Sequence, residues 1–161
     1  PLEIAGYSAI VDLPDELVTS VRCMVCVEAQ WVLCANEDGV HPWPGGRRQA
    51  GESYAGTASR EVHEETGWRI ERPSLRQLGW LHLRHLGPRR HDGYPYPDFL
   101  QAVVVAQAKE RDCAHNAAWT DVDGHEQSSM LVSLDEALAR MAGDPPASLF
   151  LTLAARAPRS S

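Results

Sequence analysis

The stretch GRRQAGESYAGTASREVHEETGW, residues 46–68, contains the most informative pattern of this sequence. Ser53 is suited to cap the beginning of a helix, and Gly67 is suited to cap its end. Between them, small and apolar side chains recur at the three- and four-residue steps of one helical face: Ala55, Ala58, Val62 and Thr66. The stretch therefore predicts a helix over Tyr54–Thr66.

Three glutamates crowd the second half of this predicted helix. Glu61, Glu64 and Glu65 occupy neighbouring positions of one helical surface, where like charges repel and where the helix dipole disfavours anions. A divalent cation would relieve this repulsion, and oxygen-only ligands suit Mg²⁺ or Mn²⁺ better than zinc. The competing interpretation is a solvated acidic face, which is what most glutamate clusters on helices are.

The fixed order of residues around the helix decides between these interpretations. Read from Gly46, the chain gives G-x5-E-x7-R-E-V-x-E-E-x-G-W. This order resembles the signature of the Nudix hydrolases, G-x5-E-x7-R-E-U-x-E-E-x-G-U, in which U is a bulky apolar residue. Trp68 stands at the last U, where an aliphatic residue is commoner. All other fixed positions match: Gly46, Glu52, Arg60, Glu61, Val62, Glu64, Glu65 and Gly67.

The resemblance implies a fold and a reaction. The fold is α+β, a Nudix-like α/β/α sandwich with a mixed central sheet, formed here by one domain over residues 1–161. The reaction is metal-dependent pyrophosphohydrolysis, in which water attacks a diphosphate linkage between a nucleoside and another group X. The substrate is a small nucleotide derivative: a nucleoside triphosphate, nucleotide sugar, ADP-ribose or dinucleotide. The alternative is a non-catalytic nucleotide-sensing module, and the complete set of acids favours the enzyme.

The resemblance also implies roles for individual residues. Mg²⁺, or Mn²⁺ in its place, would be held by side chains and by a backbone carbonyl of the loop: Glu61, Glu64, Glu65, and Gly45 or Gly46. Glu52 and Arg60 would form an ion pair that fixes the loop to the helix. A carboxylate would take the proton of the attacking water. Besides the helix acids, Glu126 is the candidate from a later loop, with Asp121 and Asp123 as rivals. The alternative is that all three are surface acids of a loop.

A long segment, residues 87–99, is the candidate for substrate selection. Arg89 and Arg90 could hold phosphates through the guanidinium fork, and Tyr94, Tyr96 or Phe99 could stack on a base. Its length favours this interpretation, since loops this long are often functional. The alternative is an ordinary exposed loop whose rings cover the sheet edge.

The remaining elements complete an α+β pattern. β-branched and apolar runs predict strands over residues 21–29, 31–34, 77–83, 100–108 and 130–134, with a short strand over 7–11. Helices are predicted over 134–141 and 147–157. Residues 41–46 contain two prolines and two glycines and are therefore predicted to be irregular.

Composition limits the partners. The 161 residues include 15 basic and 22 acidic side chains, a net charge of −7, which argues against a generic nucleic-acid binder. No apolar run approaches the ~18 residues of a membrane helix, and no signal peptide is evident, so a cytoplasmic location is expected. Homodimers are common in the resembling family.

The pairs Cys23/Cys26 and His82/His85 suggest a zinc site, but residues three apart on a strand point to opposite faces of the sheet.

Overall fold

The computed structural model describes residues 1–89, 95–112 and 128–158. Within these residues the chain forms nine strands and three α-helices. The strands are β1 (Leu2–Tyr7), β2 (Val18–Val27), β3 (Gln30–Asn36), β4 (Gly39–His41), β5 (Gly45–Arg47), β6 (Trp68–Ile70), β7 (Arg76–His85), β8 (Asp98–Arg111) and β9 (Ser128–Val132). The helices are α1 (Tyr54–Thr66), α2 (Leu134–Arg140) and α3 (Pro145–Arg156).

The sheet is mixed, as predicted. Its main path runs β1-β7-β8-β2-β3-β4, while β5 pairs with β2, β6 with β8, and β9 with β3. The central pair, β2 and β8, is parallel, with Val21 opposite Ala102, and the other pairs are antiparallel. The apolar runs of β2 and β8 suit strands that are covered on both faces.

Helices cover both faces of this sheet, which confirms the predicted α/β/α sandwich. Side chains alternate along β2, so Cys23 and Val25 join one core cluster while Met24 and Cys26 join the other. The first cluster includes Ala58 and Val62 of α1, and the second includes residues of α2 and α3. Cys23 and Cys26 therefore lie on opposite faces, as the strand spacing predicts. Burial raises the pKa of the Cys23 thiol to about 12.

The predicted helix is confirmed at both ends. The Ser53 hydroxyl accepts a hydrogen bond from the Gly56 N–H at 3.1 Å. Gly67 adopts the left-handed conformation with φ of 75°, and its N–H donates to the His63 carbonyl. The two caps fix the ends of α1 at Tyr54 and Thr66. A helix with these bounds places its glutamates beside β5.

Three expectations about the elements were wrong. The strand predicted over 7–11 lies earlier, in β1, because Leu2–Tyr7 pairs with the edge of β7. Residues 45–47 are not irregular but pair with β2, opposite residues 20–22. The segment 87–99 ends in the sheet, because β8 already begins at Asp98.

In the part of the chain that the structure describes, no helix is long and apolar enough to span a membrane.

Candidate active site

The guanidinium of Arg60 contacts three of the four glutamates of the signature. The Arg60 Nε and Nη2 donate to the two carboxylate oxygens of Glu52, at 3.1 and 3.0 Å. The Arg60 Nη1 lies 2.7 Å from Glu61 Oε1 and 3.3 Å from Glu64 Oε2. The same side chain donates from Nη2 to the Arg47 carbonyl of β5 at 2.9 Å. Arg60 thus contacts three carboxylates with a single positive charge and ties α1 to the loop that precedes it.

Glu52 is held by several donors. Besides Arg60, the Thr57 hydroxyl and the Gln49 N–H donate to its Oε2, at 2.9 and 3.0 Å. The hydrogen bonds from Arg60 are the main cause that lowers the pKa of Glu52 from 4.5 to about 2, against the opposing effect of burial. The same hydrogen bonds raise the pKa of Arg60. The pair therefore stays ionised throughout the neutral range.

The depressed pKa of Glu52 predicts how stability depends on pH. A carboxyl with a lower pKa in the folded state contributes stability above its unfolded pKa, near 4.5, and loses it as the pH falls toward about 2. We expect Glu52→Gln to flatten the fall in unfolding free energy between these values, by at most about 1.4 kcal/mol per pH unit. Urea unfolding from pH 5 to 2.5 measures this slope.

A matched variant separates this effect from charge alone. Glu37→Gln, in the exposed turn between β3 and β4, controls for the loss of one negative charge. If Glu52→Gln and the unsubstituted chain lose stability in parallel on acidification, the ion pair with Arg60 does not carry the effect.

Two glycines of β5 bring the loop backbone against the glutamates. The Gly45 N–H donates to the buried carboxylate of Glu65 at 2.8 Å. A Cβ atom on Gly46 would lie 2.5 Å from the Glu61 carboxylate. Only a residue without a side chain lets that carboxylate lie so close to the strand. Glu61 and Glu65 therefore contact consecutive residues of one strand.

The donor atoms available here are carboxylate and carbonyl oxygens, which are the ligand type that a hard divalent cation prefers. The Glu61 carboxylate fills the space that a Cβ of Gly46 would take, next to the loop backbone. Among the described residues, no three His, Cys, Asp or Glu side chains converge on one point that could hold a metal ion. In that part of the chain, Glu61 and Glu64 both lie against Arg60.

Arg47 of β5 also lines a cavity of about 330 Å³. We call it the nucleoside pocket after the ligand that the signature of residues 46–68 leads us to expect. Three arginines from different segments line it, Arg22, Arg47 and Arg89. So do three aromatic rings: His85 stacks on Tyr96 with centroids 6.0 Å apart and contacts Phe99 at 5.3 Å. Cations and rings of this kind suit phosphates and a flat base.

The structure brings together most of the residues that the sequence singles out. Glu52, Arg60, Glu61 and Glu64 share one network, and Glu65 lies against the backbone of Gly45 in the adjacent strand β5. Arg89, Tyr96 and Phe99 line the nucleoside pocket. The other predicted residues lie outside the described part of the chain: Arg90, Tyr94, Asp121, Asp123 and Glu126.

Sequence reasoning missed several polar residues of this pocket, among them Arg22, Arg47 and Gln101. The Arg22 Nη1 donates to the Gly45 carbonyl at 2.8 Å, and its Nε donates to Gln101 Oε1 at 3.2 Å. Arg47 follows the two glycines directly. A signal was present, because Arg22 and Gln101 are isolated polar residues within apolar strands. Because burying an unpaired polar side chain is costly, such a residue indicates that this face of the strand does not pack against the hydrophobic core.

The sequence model of the NUDIX domain matches residues 17–152, most of the chain. The chain belongs to this family. With all the residues of the signature present, it is a Nudix-type hydrolase acting on phosphoric anhydride bonds. No protein with a curated description matches its sequence.

Solved structures of Nudix hydrolases share the fold at low sequence identity. A variant of the Bacillus subtilis pyrophosphohydrolase BsRppH is 22% identical, with a TM-score of 0.64 over 92% of this chain and 89% of that one. A NUDIX hydrolase from Nitrosomonas europaea is 19% identical, with a TM-score of 0.62 over 88% and 91%. A NUDIX-family hydrolase from Clostridium perfringens is 12% identical, with a TM-score of 0.55 over 89% and 96%.

Proposed function

We propose that this Nudix hydrolase uses Mg²⁺ or Mn²⁺ to cleave a nucleoside diphosphate linked to a further group X. The observation that carries the proposal is the position of the nucleoside pocket. Strand β5 connects it to the acids of α1, because Arg47 lines the pocket and the Arg47 carbonyl accepts a hydrogen bond from Arg60. A nucleotide in the pocket would therefore present its phosphates at the edge where the glutamates lie.

The chain's own residues divide the work on such a substrate. Arg22, Arg47 and Arg89 bind the phosphates, and the rings of the pocket hold the base. Hydrogen bonds from Arg22 to the Gly45 carbonyl, and from the Gly45 N–H to Glu65, fix the strand between substrate and acids. This arrangement orients the diphosphate relative to the carboxylates before reaction.

The metal would be held by Glu61, Glu64 and Glu65 together with a carbonyl of Gly45 or Gly46. When bound, it would neutralise charge on the diphosphate and lower the pKa of a bound water. One of the carboxylates, either a helix acid or Glu126, accepts the proton from the attacking water. Where no cation is bound, the Arg60 guanidinium pairs with Glu61 and Glu64 and orients these two carboxylates.

A substrate panel tests the proposal. It contains nucleoside triphosphates, oxidised ones included, with ADP-ribose, nucleotide sugars and dinucleoside polyphosphates, each with Mg²⁺, Mn²⁺ or EDTA. We expect release of phosphate products from at least one class with metal and none with EDTA. Metal-dependent binding without any turnover would instead support the nucleotide-sensing module, and turnover in EDTA would contradict the metal assignment.

The aromatic wall of the pocket gives a prediction of its own. Tyr96→Ala is expected to raise KM for the true substrate about tenfold, with a smaller change in kcat, because stacking on a base contributes to binding. Tyr96→Phe keeps the ring and removes only the hydrogen bond from the hydroxyl to the Gly87 carbonyl, which is 2.8 Å long. Steady-state kinetics should therefore show a nearly normal KM for the phenylalanine variant. An unchanged KM in Tyr96→Ala and in Phe99→Ala would exclude stacking.

A cytoplasmic location and a homodimer remain predictions from the sequence. Fractionation of the native host cell and the mass of the purified chain in solution test them.

A further inference from the structure

A second cavity, of about 640 Å³, lies beside the nucleoside pocket and is called here the second chamber. The two cavities share Arg22 and Gln101, whose side chains are hydrogen-bonded to each other at 3.2 Å. Arg22 also reaches the Gly45 carbonyl of β5. The two cavities therefore meet at the arginine that stands next to the candidate site of phosphate cleavage.

The second chamber differs from the nucleoside pocket in charge. The nucleoside pocket is lined by three arginines, whereas the second chamber has Arg22 at the shared boundary and two acids, Asp38 and Asp144, elsewhere on its wall. The Asp144 side chain also caps α3, with its Oδ1 accepting from the Ala147 N–H at 3.0 Å. Two carboxylates disfavour a further phosphate there. They are good acceptors for hydroxyl groups.

The floor of the second chamber is apolar. Ile4 and Leu83 lie opposite each other in the pairing of β1 with β7, and both line the chamber. Trp43 adds an aromatic wall and is itself held against Phe150, with ring centroids 6.5 Å apart. An apolar floor with a few polar groups at its margin is typical of small-molecule sites. This combination suits a ring with C–H faces and several hydroxyl groups.

We propose that the second chamber binds a sugar ring carried on the far side of the diphosphate, so that X is a pentose, a hexose or a second nucleoside rather than a phosphate. The proposal rests on the proposed function, because it uses the same diphosphate at Arg22. The hydroxyl groups of the ring donate to Asp38 and Asp144, and its C–H face packs on Ile4 and Leu83. Sugar-linked diphosphates are then preferred to nucleoside triphosphates.

The test narrows the chamber with one substitution. Ile4 is 53% exposed on the edge strand, so Ile4→Trp adds bulk to the chamber without disturbing the core. Ile10→Trp, at a site that is 76% exposed and lines neither cavity, makes the same chemical change elsewhere. The ratio of kcat/KM for ADP-ribose to that for ATP is expected to fall about tenfold in Ile4→Trp, mainly through KM, and to stay unchanged in Ile10→Trp.

Two further substrates identify the ring. ADP-glucose and P1,P2-diadenosine diphosphate are measured beside ADP-ribose, and the largest loss in Ile4→Trp shows whether the chamber takes a hexose, a nucleoside or a pentose. Equal losses for ATP and for all three sugar-linked substrates, or no loss for any, would overturn the proposal.

A binding measurement keeps this result separate from the fate of the proposed function. Calorimetry with ADP-ribose and with ADP, in the presence of Mg²⁺, reports the contribution of the ring even if nothing is hydrolysed. We expect ADP-ribose to bind more tightly than ADP, and we expect Ile4→Trp to remove the difference. Equal affinities in the unsubstituted chain would exclude a ring site, whereas tight binding without turnover would overturn the hydrolytic function alone.

Discussion

Glu64→Gln is expected to reduce hydrolysis by about 10²–10⁴-fold while leaving the fold intact. Glutamine keeps the size of the side chain and an oxygen that can accept from Arg60, which lies 3.3 Å from the carboxylate. It removes the negative charge that is needed to bind a divalent cation or to accept a proton from the attacking water. The side chain of Glu64 is 39% exposed, the most accessible of the acids that contact Arg60, so its loss costs little packing.

The chain contains a closely matched control for this variant. Glu136 pairs with Arg140 at 2.7 Å, and Glu64 pairs with Arg60 at 3.3 Å. Both pairs join residues one helical turn apart. Glu136→Gln makes the same chemical change on α2, and its kcat/KM should equal that of the unsubstituted chain. Rates are compared with the best substrate of the panel, and circular dichroism and thermal unfolding monitor the fold. Full activity in Glu64→Gln would remove Glu64 from the site.

Gly46→Ala is expected to lower kcat about 10²-fold at a cost in stability of only about 1 kcal/mol, because displacing a reacting group by 1 Å has an effect of that size. The added Cβ would lie 2.5 Å from the Glu61 carboxylate, which is the far end of a flexible side chain. The side chain can swing aside, so the backbone need not move. The carboxylate then leaves its position beside the loop.

Gly45→Ala provides the contrast one residue earlier. Gly45 has φ of 152°, and its added Cβ would collide with the backbone carbonyl of Val21, which cannot swing aside. We therefore expect Gly45→Ala to destabilise the fold by about 2–4 kcal/mol. Urea unfolding and kcat, measured on both variants, separate the two effects. If Gly46→Ala keeps its kcat, the position of the Glu61 carboxylate is unimportant for turnover.

Local signals explain what the sequence could predict. Ser53 and Gly67 mark the two ends of α1, because each cap satisfies backbone groups within its own helix turn. The ion pair of Glu52 with Arg60 likewise joins residues eight positions apart, within reach of one loop and one helix. Motif spacing was sufficient for this half of the site.

Long-range pairing explains what it could not predict. Gly45–Arg47 has the glycines of a loop and becomes a strand only because residues 20–22 offer it an edge. The nucleoside pocket depends on the register that sets Arg22 beside Gln101, and no local pattern encodes that register. Ile4 reaches the second chamber only because β1 pairs with β7 rather than beginning at Tyr7.

The parallel pairing of β2 with β8 also sets the order of events during synthesis. Arg22 and Gln101 are 79 positions apart, and no hairpin can bring them together, because parallel strands need a crossover connection. The caps and ion pair of α1 lie within a short segment that leaves the ribosome well before β8. The acidic helix can therefore form early, whereas the cavity proposed to receive the nucleotide closes only after the slow, non-local step of folding. A nascent chain that ends before residue 98 carries every acid of α1 but lacks Phe99 and Gln101, the β8 residues that line the nucleoside pocket.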